Sequence, residues 1–411
     1  MKNLAVCGIV LALAALAPAL EAGSFSAAAW GLGTLLLLAI VAQRAAQQIG
    51  FPAIVGWLAA GFAIGASGLD LIDAPTNQTL LTLRTLALLW LAFQVGLGAT
   101  SRWNDSRVAA LVIATTLVAQ LLVTLALTLT SDFRFDQALL LGALACLWGP
   151  LVLTSLAGSA EVRRMSIMGA AASLVLFGST LVVLRIRGSV GPEADQFVLM
   201  LMVSCAAGAI CADLLWRLGI LSQRHSAILG MVGLSGVVAL LLQPLGLYAV
   251  PFGICGGLVV SQRQGQGRLV TRLFDSSRPF CAMVFFALAA ASVSLHGPLW
   301  PLEKGLAQFV LIQLLILIAL RGVVPTLWFG KEFGADFDRR AIWLLVPKGV
   351  LLFELVHGPG LRLPALVDGG LTRFLYQLVV ADLLVYAVGF SVVATLFQRV
   401  RASRQVVSST D

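Results

Sequence analysis

Two apolar stretches, CLWGPLVLTSL (Cys146 to Leu156) and WLLVPKGVLLFEL (Trp343 to Leu355), are each interrupted in the middle by a proline beside a glycine. The second carries Lys348 at its break. Proline lacks a backbone donor and clashes with the preceding turn, so a helix has to kink or open there. Within a bilayer, irregular backbone survives only where protein or a water-filled cavity covers it. A matched pair of interrupted spans in the two halves of a chain is the best sequence pointer to a mid-membrane binding site in a secondary transporter. The lysine strengthens it, because an intramembrane charge is costly and marks function.

The rest of the chain supplies the membrane context. Of its 411 residues, 59% are hydrophobic and 11% charged, whereas soluble domains hold about 25% charged residues. Apolar runs of about 20 residues, each enough to cross a bilayer, recur from end to end. They are continuous and not alternating, which excludes a β-barrel. Candidate spans cover 5–21, 28–46, 52–69, 80–99, 108–130, 137–157, 164–186, 196–217, 224–242, 246–262, 279–296, 304–329, 339–358 and 372–398. The first, with Lys2 ahead of a short apolar run and ALEA before Gly23, also suits a cleaved signal peptide. The expected fold is thus an all-α polytopic membrane protein with 13–14 transmembrane helices. Its organisation reads as 1–27, a signal peptide or extra helix; 28–398, one membrane domain; and 399–411, a short tail.

A formal net charge of +8 in a chain this apolar points to cytoplasmic loops and not to nucleic acid. Lys2, Arg44, Arg102, Arg107, Arg163, Arg164, Arg217, Arg224, Arg263, Arg268, Arg272, Arg278, Lys331, Arg339, Arg340, Arg399, Arg401 and Arg404 all fall on one side when the spans alternate. That side is the cytoplasm, and it holds the C-terminus; the chain reads as a multi-pass protein of a bacterial inner membrane. The break at Pro150 then runs outside to inside and the break at Pro347 inside to outside, as an inverted repeat requires. The loop from Ser261 to Arg278 carries GRLVTRLF, which suits a short amphipathic helix on anionic lipid. The cysteines, Cys7, Cys146, Cys205, Cys211, Cys255 and Cys281, sit in apolar runs and read as buried thiols. His225, His296 and His357 have no ligand spacing. No Walker or Rossmann glycine motif is present, so neither a metal, a cofactor nor ATP hydrolysis is expected.

Several blocks, in order, resemble the cation:proton antiporter superfamily, in particular its Kef-type and sodium/hydrogen exchanger-like membrane domains. QQIGFPAIVGWLAAGFAIGASGLDLI (Gln47 to Ile72) is similar to the family's second-helix signature. LALLWLAFQVGLGATSRW (Leu86 to Trp103) is similar to the block with phenylalanine before Val-Gly-Leu, and LFDSSRPFCAMVFFALAAASVSL (Leu273 to Leu295) to the segment with a Pro-Phe pair. The resemblance implies an inverted-repeat antiporter fold with two discontinuous crossing helices, alternating access around Pro150 and Pro347, a monovalent cation and a proton as substrates, and a homodimer. It also exposes a departure. Gly149 stands where the family's first aspartate is expected, and Gly178 and Ser179 stand where the family has an Asn-Asp-like pair. Pro347, Lys348 and Gly349 resemble the second broken helix, with lysine in place of arginine.

Cation exchange for protons needs a titratable acid within reach of both sides, because something anionic must replace the ion's hydration shell. Around the first break the chain offers Gly149, Pro150, Thr154, Ser173, Ser179 and Thr180, which are hydroxyls and backbone but no carboxylate. Asp382, mid-span in the last helix, reads as an ion-handling acid or as a partner for Lys348, Arg321 or Arg84. Glu354 lies six residues past Lys348, on a different face. Asp213 lies four residues before Arg217 and reads as a helical ion pair. Lys348 reads as a neutraliser of opposed helix ends or as a ligand for an anionic solute. The function expected is a secondary transporter with a diverged ion site. The alternatives are a non-transporting subunit or scaffold of a membrane complex, and a carrier of an anionic or neutral solute held by Lys348.

Overall fold

The computed structural model describes residues 24–72, 74–97, 106–130, 133–147, 160–218, 224–242, 244–263, 267–293, 305–329, 374–375 and 377–382. Helices α1 (Ser24–Gln48), α2 (Ala53–Ile64), α3 (Ala74–Leu97), α4 (Ser106–Thr130), α5 (Phe135–Ala145), α6 (Ala160–Ile186), α7 (Glu193–Arg217), α8 (Arg224–Leu242), α9 (Ala249–Gln262), α10 (Gly267–Ala291), α11 (Leu306–Leu317) and α12 (Val324–Phe329) follow one another. Residues 374–375 and 377–382 are helical as well. No strand occurs among the described residues. Six of these helical stretches are long and apolar enough to span a bilayer, among them Val108–Thr130, Ala194–Arg217 and Leu306–Val323. The chain is an all-α polytopic membrane protein.

Two local features depart from a plain series of spans. Helix α5 has 11 residues, a rise of about 16 Å at 1.5 Å per residue, which is about half of a hydrocarbon core. Cys146 already leaves helical geometry at φ −98°, ψ 6°, so the span expected over 137–157 ends its first half ahead of Gly149 and Pro150, which lie outside the described residues. The second feature is the continuation of GRLVTRLF into a longer helix. That segment is the first part of α10, which continues to Ala291 with Pro279 inside it.

The chain divides into two compact units. The first holds α1, α2, α3 up to Leu88 and α10 from Pro279. Here Gly61 of α2 and Gly65, which caps its C-terminus, lie so close to α10 that an added Cβ would overlap the backbone at Ala287 and Ala291. Trp57 stacks on Phe286 with ring centroids 6.5 Å apart, and its indole N–H donates to Gln43 Oε1 at 3.0 Å. Arg84 donates to the Ser292 hydroxyl at 3.1 Å. A basic side chain inside an apolar span is thereby placed against a polar group of the helix beside it.

The second unit holds α3 from Leu89, α4 to α9, α10 up to Arg278, α11, α12 and 377–382. Its densest contact joins α7 to α9 through small residues, the usual way for membrane helices to approach. A Cβ on Gly208 would overlap the Phe252 carbonyl, and one on Gly96 of α3 the Ile254 carbonyl. The Ser204 hydroxyl accepts the Tyr248 backbone N–H at 2.9 Å. Contacts advance in the same direction along both helices (Ser204 with Tyr248, Gly208 with Phe252), so α7 and α9 run parallel.

The seam makes a direct test. Gly208→Val drives side-chain atoms into the α9 backbone and lowers stability by about 1–3 kcal/mol, read as a fall in the thermal midpoint of purified protein in detergent. Gly236→Ala on α8, where nothing lies within 4 Å of an added Cβ, leaves the midpoint unchanged or raises it.

Candidate functional site

Helix α5 ends inside the second unit. The last carbonyls of any α-helix lack intrahelical partners and carry the negative end of the helix dipole. At mid-membrane no water replaces those partners. Arg321 supplies one: its Nη2 donates to the Cys146 carbonyl oxygen. Cys146 and Arg321 are each only 1% exposed, so a full cation is held at the end of α5 out of solvent contact.

Arg321 is delivered by an unusual winding. Ile318–Val323 form a π turn between α11 and α12, and single π turns within α-helices gather at functional sites. On a regular α-helix, Gln313 and Arg321, eight residues apart, would project about 80° from each other. The wider turn, with its i→i+5 bonds, winds Arg321 back toward the Gln313 face. Gln313, 3% exposed, donates from Nε2 to Asp382 Oδ1 at 3.4 Å, and its buried Oε1 has no hydrogen bond among the described residues. Two polar contacts thus lie in one unit: the Arg321 guanidinium on the carbonyl at the end of α5, and the Gln313 amide on the Asp382 carboxylate.

A second polar patch lies on α4 and α6. Gln120 donates from Nε2 to the Thr180 hydroxyl at 2.7 Å, and Thr180 in turn donates to the Leu176 carbonyl at 2.8 Å. Both side chains are buried. Ser179 is exposed and donates to the same Leu176 carbonyl at 2.9 Å, so its hydroxyl is tied to its own helix. Thr180 and Ser179 therefore face different ways, and only Thr180 joins a contact between helices. Gly149, Pro150 and Lys348 lie outside the described residues.

The sequence singled out Asp382 and named Arg321 among its candidate partners; the structure gives Asp382 the amide of Gln313 and Arg321 the Cys146 carbonyl. It did not find Gln313, one of several polar residues in apolar runs, or the use of Arg321 as a cap for α5. The signal for the cap was present. An arginine in the middle of an apolar span needs a buried partner, and a broken helix supplies unpaired carbonyls.

No described protein family and no curated protein matches the chain. Among solved structures, the sodium–proton antiporter MjNhaP1 from Methanocaldococcus jannaschii at pH 8 is similar over 90% of this chain and 99% of its own, with TM-score 0.54 and 14% identity. An electron-microscopy structure of the same antiporter is similar over 88% and 96%, with TM-score 0.56 and 14% identity. The chain has the fold of a cation:proton antiporter.

The cluster acts as a unit if removing its members is non-additive. Arg321→Met leaves Asp382 and the α5 end without their cation and costs about 3–5 kcal/mol, the range for breaking a buried charge pair. Asp382→Asn in that background costs less than it does alone, the two losses falling short of their sum by about 0.5–3 kcal/mol. Denaturation of the two single variants and the double variant in detergent measures this directly. Strict additivity would show that the two side chains do not cooperate.

Proposed function

We propose that the chain is a secondary transporter, not an enzyme, which exchanges a monovalent cation for protons by alternating access around the broken helices at Pro150 and Pro347. Asp382 is its titratable acid, in place of the carboxylates missing at Gly149, Gly178 and Ser179. The observations that carry this reading are the bond of Gln313 to Asp382 and the bond of Arg321 to the end of α5, within one unit.

The chemistry follows from charge. Asp382 ionised is balanced by Arg321, which is itself fixed to Cys146. A cation entering the site competes with Arg321 for the carboxylate, and the buried Gln313 Oε1 is an acceptor that a cation can use. A proton on Asp382 removes the charge that a cation needs, so proton and cation bind in alternation. Because Arg321 is bonded to the α5 end and is attracted by an ionised Asp382 in the same unit, the state of the acid bears on that helix end. Lys348 belongs to the other break and neutralises the helix ends there.

A second reading has its own support. The hydroxyls of α6 place no acid where the antiporter superfamily has one, Ser179 is bonded to its own helix, and the buried cation at Arg321 opposes a site for positive ions. These favour a chain that keeps the architecture without cation transport, as a subunit or scaffold of a membrane complex, or as a carrier of an anionic or neutral solute. A homodimer, implied by the family resemblance, suits either reading.

Everted membrane vesicles distinguish them. Adding sodium or potassium to acidified vesicles containing the protein collapses the proton gradient, and Asp382→Asn lowers the initial rate at least tenfold, while the variant reaches the membrane in normal amount. No response from the unaltered chain, together with a response in Ser179→Asp, would replace this reading with that of a lapsed transporter.

A further inference from the structure

We propose that the cleft between the ends of α7 and α9 is a binding site for one anionic phospholipid, with its phosphate on Arg217 and Arg263. This goes beyond the transport reading and stands whether or not the chain moves ions.

Three side chains build the site. Asp213 Oδ2 accepts from Arg217 Nε at 2.6 Å, and Asp213 Oδ1 accepts from Arg263 Nη2 at 2.6 Å. One carboxylate therefore holds two guanidiniums that come from two helices and lie 46 residues apart in sequence. Each guanidinium carries five N–H donors and uses one on Asp213, so both forks keep donors for a further anion. The triad has one positive charge in excess. Asp213 is 25% exposed, whereas Arg217 and Arg263 are 72% and 47% exposed, so the acid lies at the base and the two bases rise above it. Snorkelling arginines at a membrane boundary are ordinarily loose; here both are fixed, which lowers the entropy lost when they close on a phosphate.

The shape of the site selects a lipid over a free phosphate. The three charged residues line a cleft of about 670 Å³ together with Ala209, Val259 and Gln262. Ile210 and Leu214 complete its wall and are 58% and 52% exposed. One α-helical turn below the charges, the cleft is thus walled by aliphatic side chains of a membrane-spanning helix. A phosphodiester on the arginines leaves its acyl chains against Ile210 and Leu214, whereas inorganic phosphate gains nothing from them. The distribution of lysine and arginine assigns this end of α7 and α9 to the cytoplasmic leaflet, and basic pockets between transmembrane helices on that side recognise anionic headgroups.

The test uses the purified full chain in detergent. Phosphatidylglycerol, phosphatidylcholine and inorganic phosphate are added separately, and the thermal midpoint and the lipid retained in native mass spectra are recorded. Phosphatidylglycerol raises the midpoint and stays bound; phosphatidylcholine and phosphate at equal concentration do neither. Arg217→Gln with Arg263→Gln weakens apparent affinity for phosphatidylglycerol at least tenfold. Should that pair of changes unfold the protein, the milder pair Arg217→Lys and Arg263→Lys, which keeps charge and loses the forks, still weakens retention, and raising the salt concentration does so in the unaltered chain. An equal response to phosphatidylcholine or to phosphate, or full retention in the variants, overturns the proposal.

Discussion

The end of a helix in a bilayer is an electrostatic liability, and the second unit of this protein is organised around meeting it. Four carbonyls at such an end have no partner on their own helix, and lipid offers none. The hydrogen bond from Arg321 to the Cys146 carbonyl meets part of that demand with a charge, whose attraction for the dipole end of α5 adds to the bond itself. A buried cation then has to be balanced, and Asp382 provides the balance. Gln313 in turn holds Asp382. Each group is explained by the one before it, beginning with the short length of α5.

The same sequence of dependence accounts for where this chain departs from the antiporter superfamily it resembles. An acid on α6 would place negative charge beside Gln120 and Thr180, whose direct bond at 2.7 Å instead closes that part of the unit with neutral groups. The charged chemistry stands on α11, its π turn and the helix around 377–382. A fold similar to that of the sodium/proton antiporter, at 14% identity, rests here on helix length, small-residue seams and the bonded end of α5.

Much of this was legible in the amino-acid order. Apolar runs of membrane length gave the spans, and α4, α6 and α7 follow them to within a few residues. The parallel pairing of α7 with α9 agrees with the alternation of spans that the lysines and arginines impose. Asp213 and Arg217, four residues apart, form the ion pair their spacing predicts. Other features were hidden for physical reasons. Hydropathy is blind to backbone hydrogen-bond pattern, so the π turn at Ile318–Val323 looked like ordinary helix. GRLVTRLF is amphipathic both as a surface helix and as the opening of α10, and only tertiary context separates the two. The bond from Arg263 to Asp213 joins residues fifty apart, which no local period reveals.

A π turn amounts to one surplus residue accommodated within a helix, and its surroundings hold it there. Were Ile318–Val323 to take up regular α winding, everything on its C-terminal side would swing around the helix axis by roughly a quarter of a turn, since each α-helical residue sweeps about 100°. The segment therefore stores angular position in much the way a ratchet tooth does. Deleting one residue between Gln313 and Arg321 would leave a plain α-helix with the two about 20° apart, still on one face, whereas α winding over the full count would point the guanidinium at a different neighbour. In a chain where so much depends on one arginine finding one carbonyl, the count of residues across this turn is as strict a constraint as their identity.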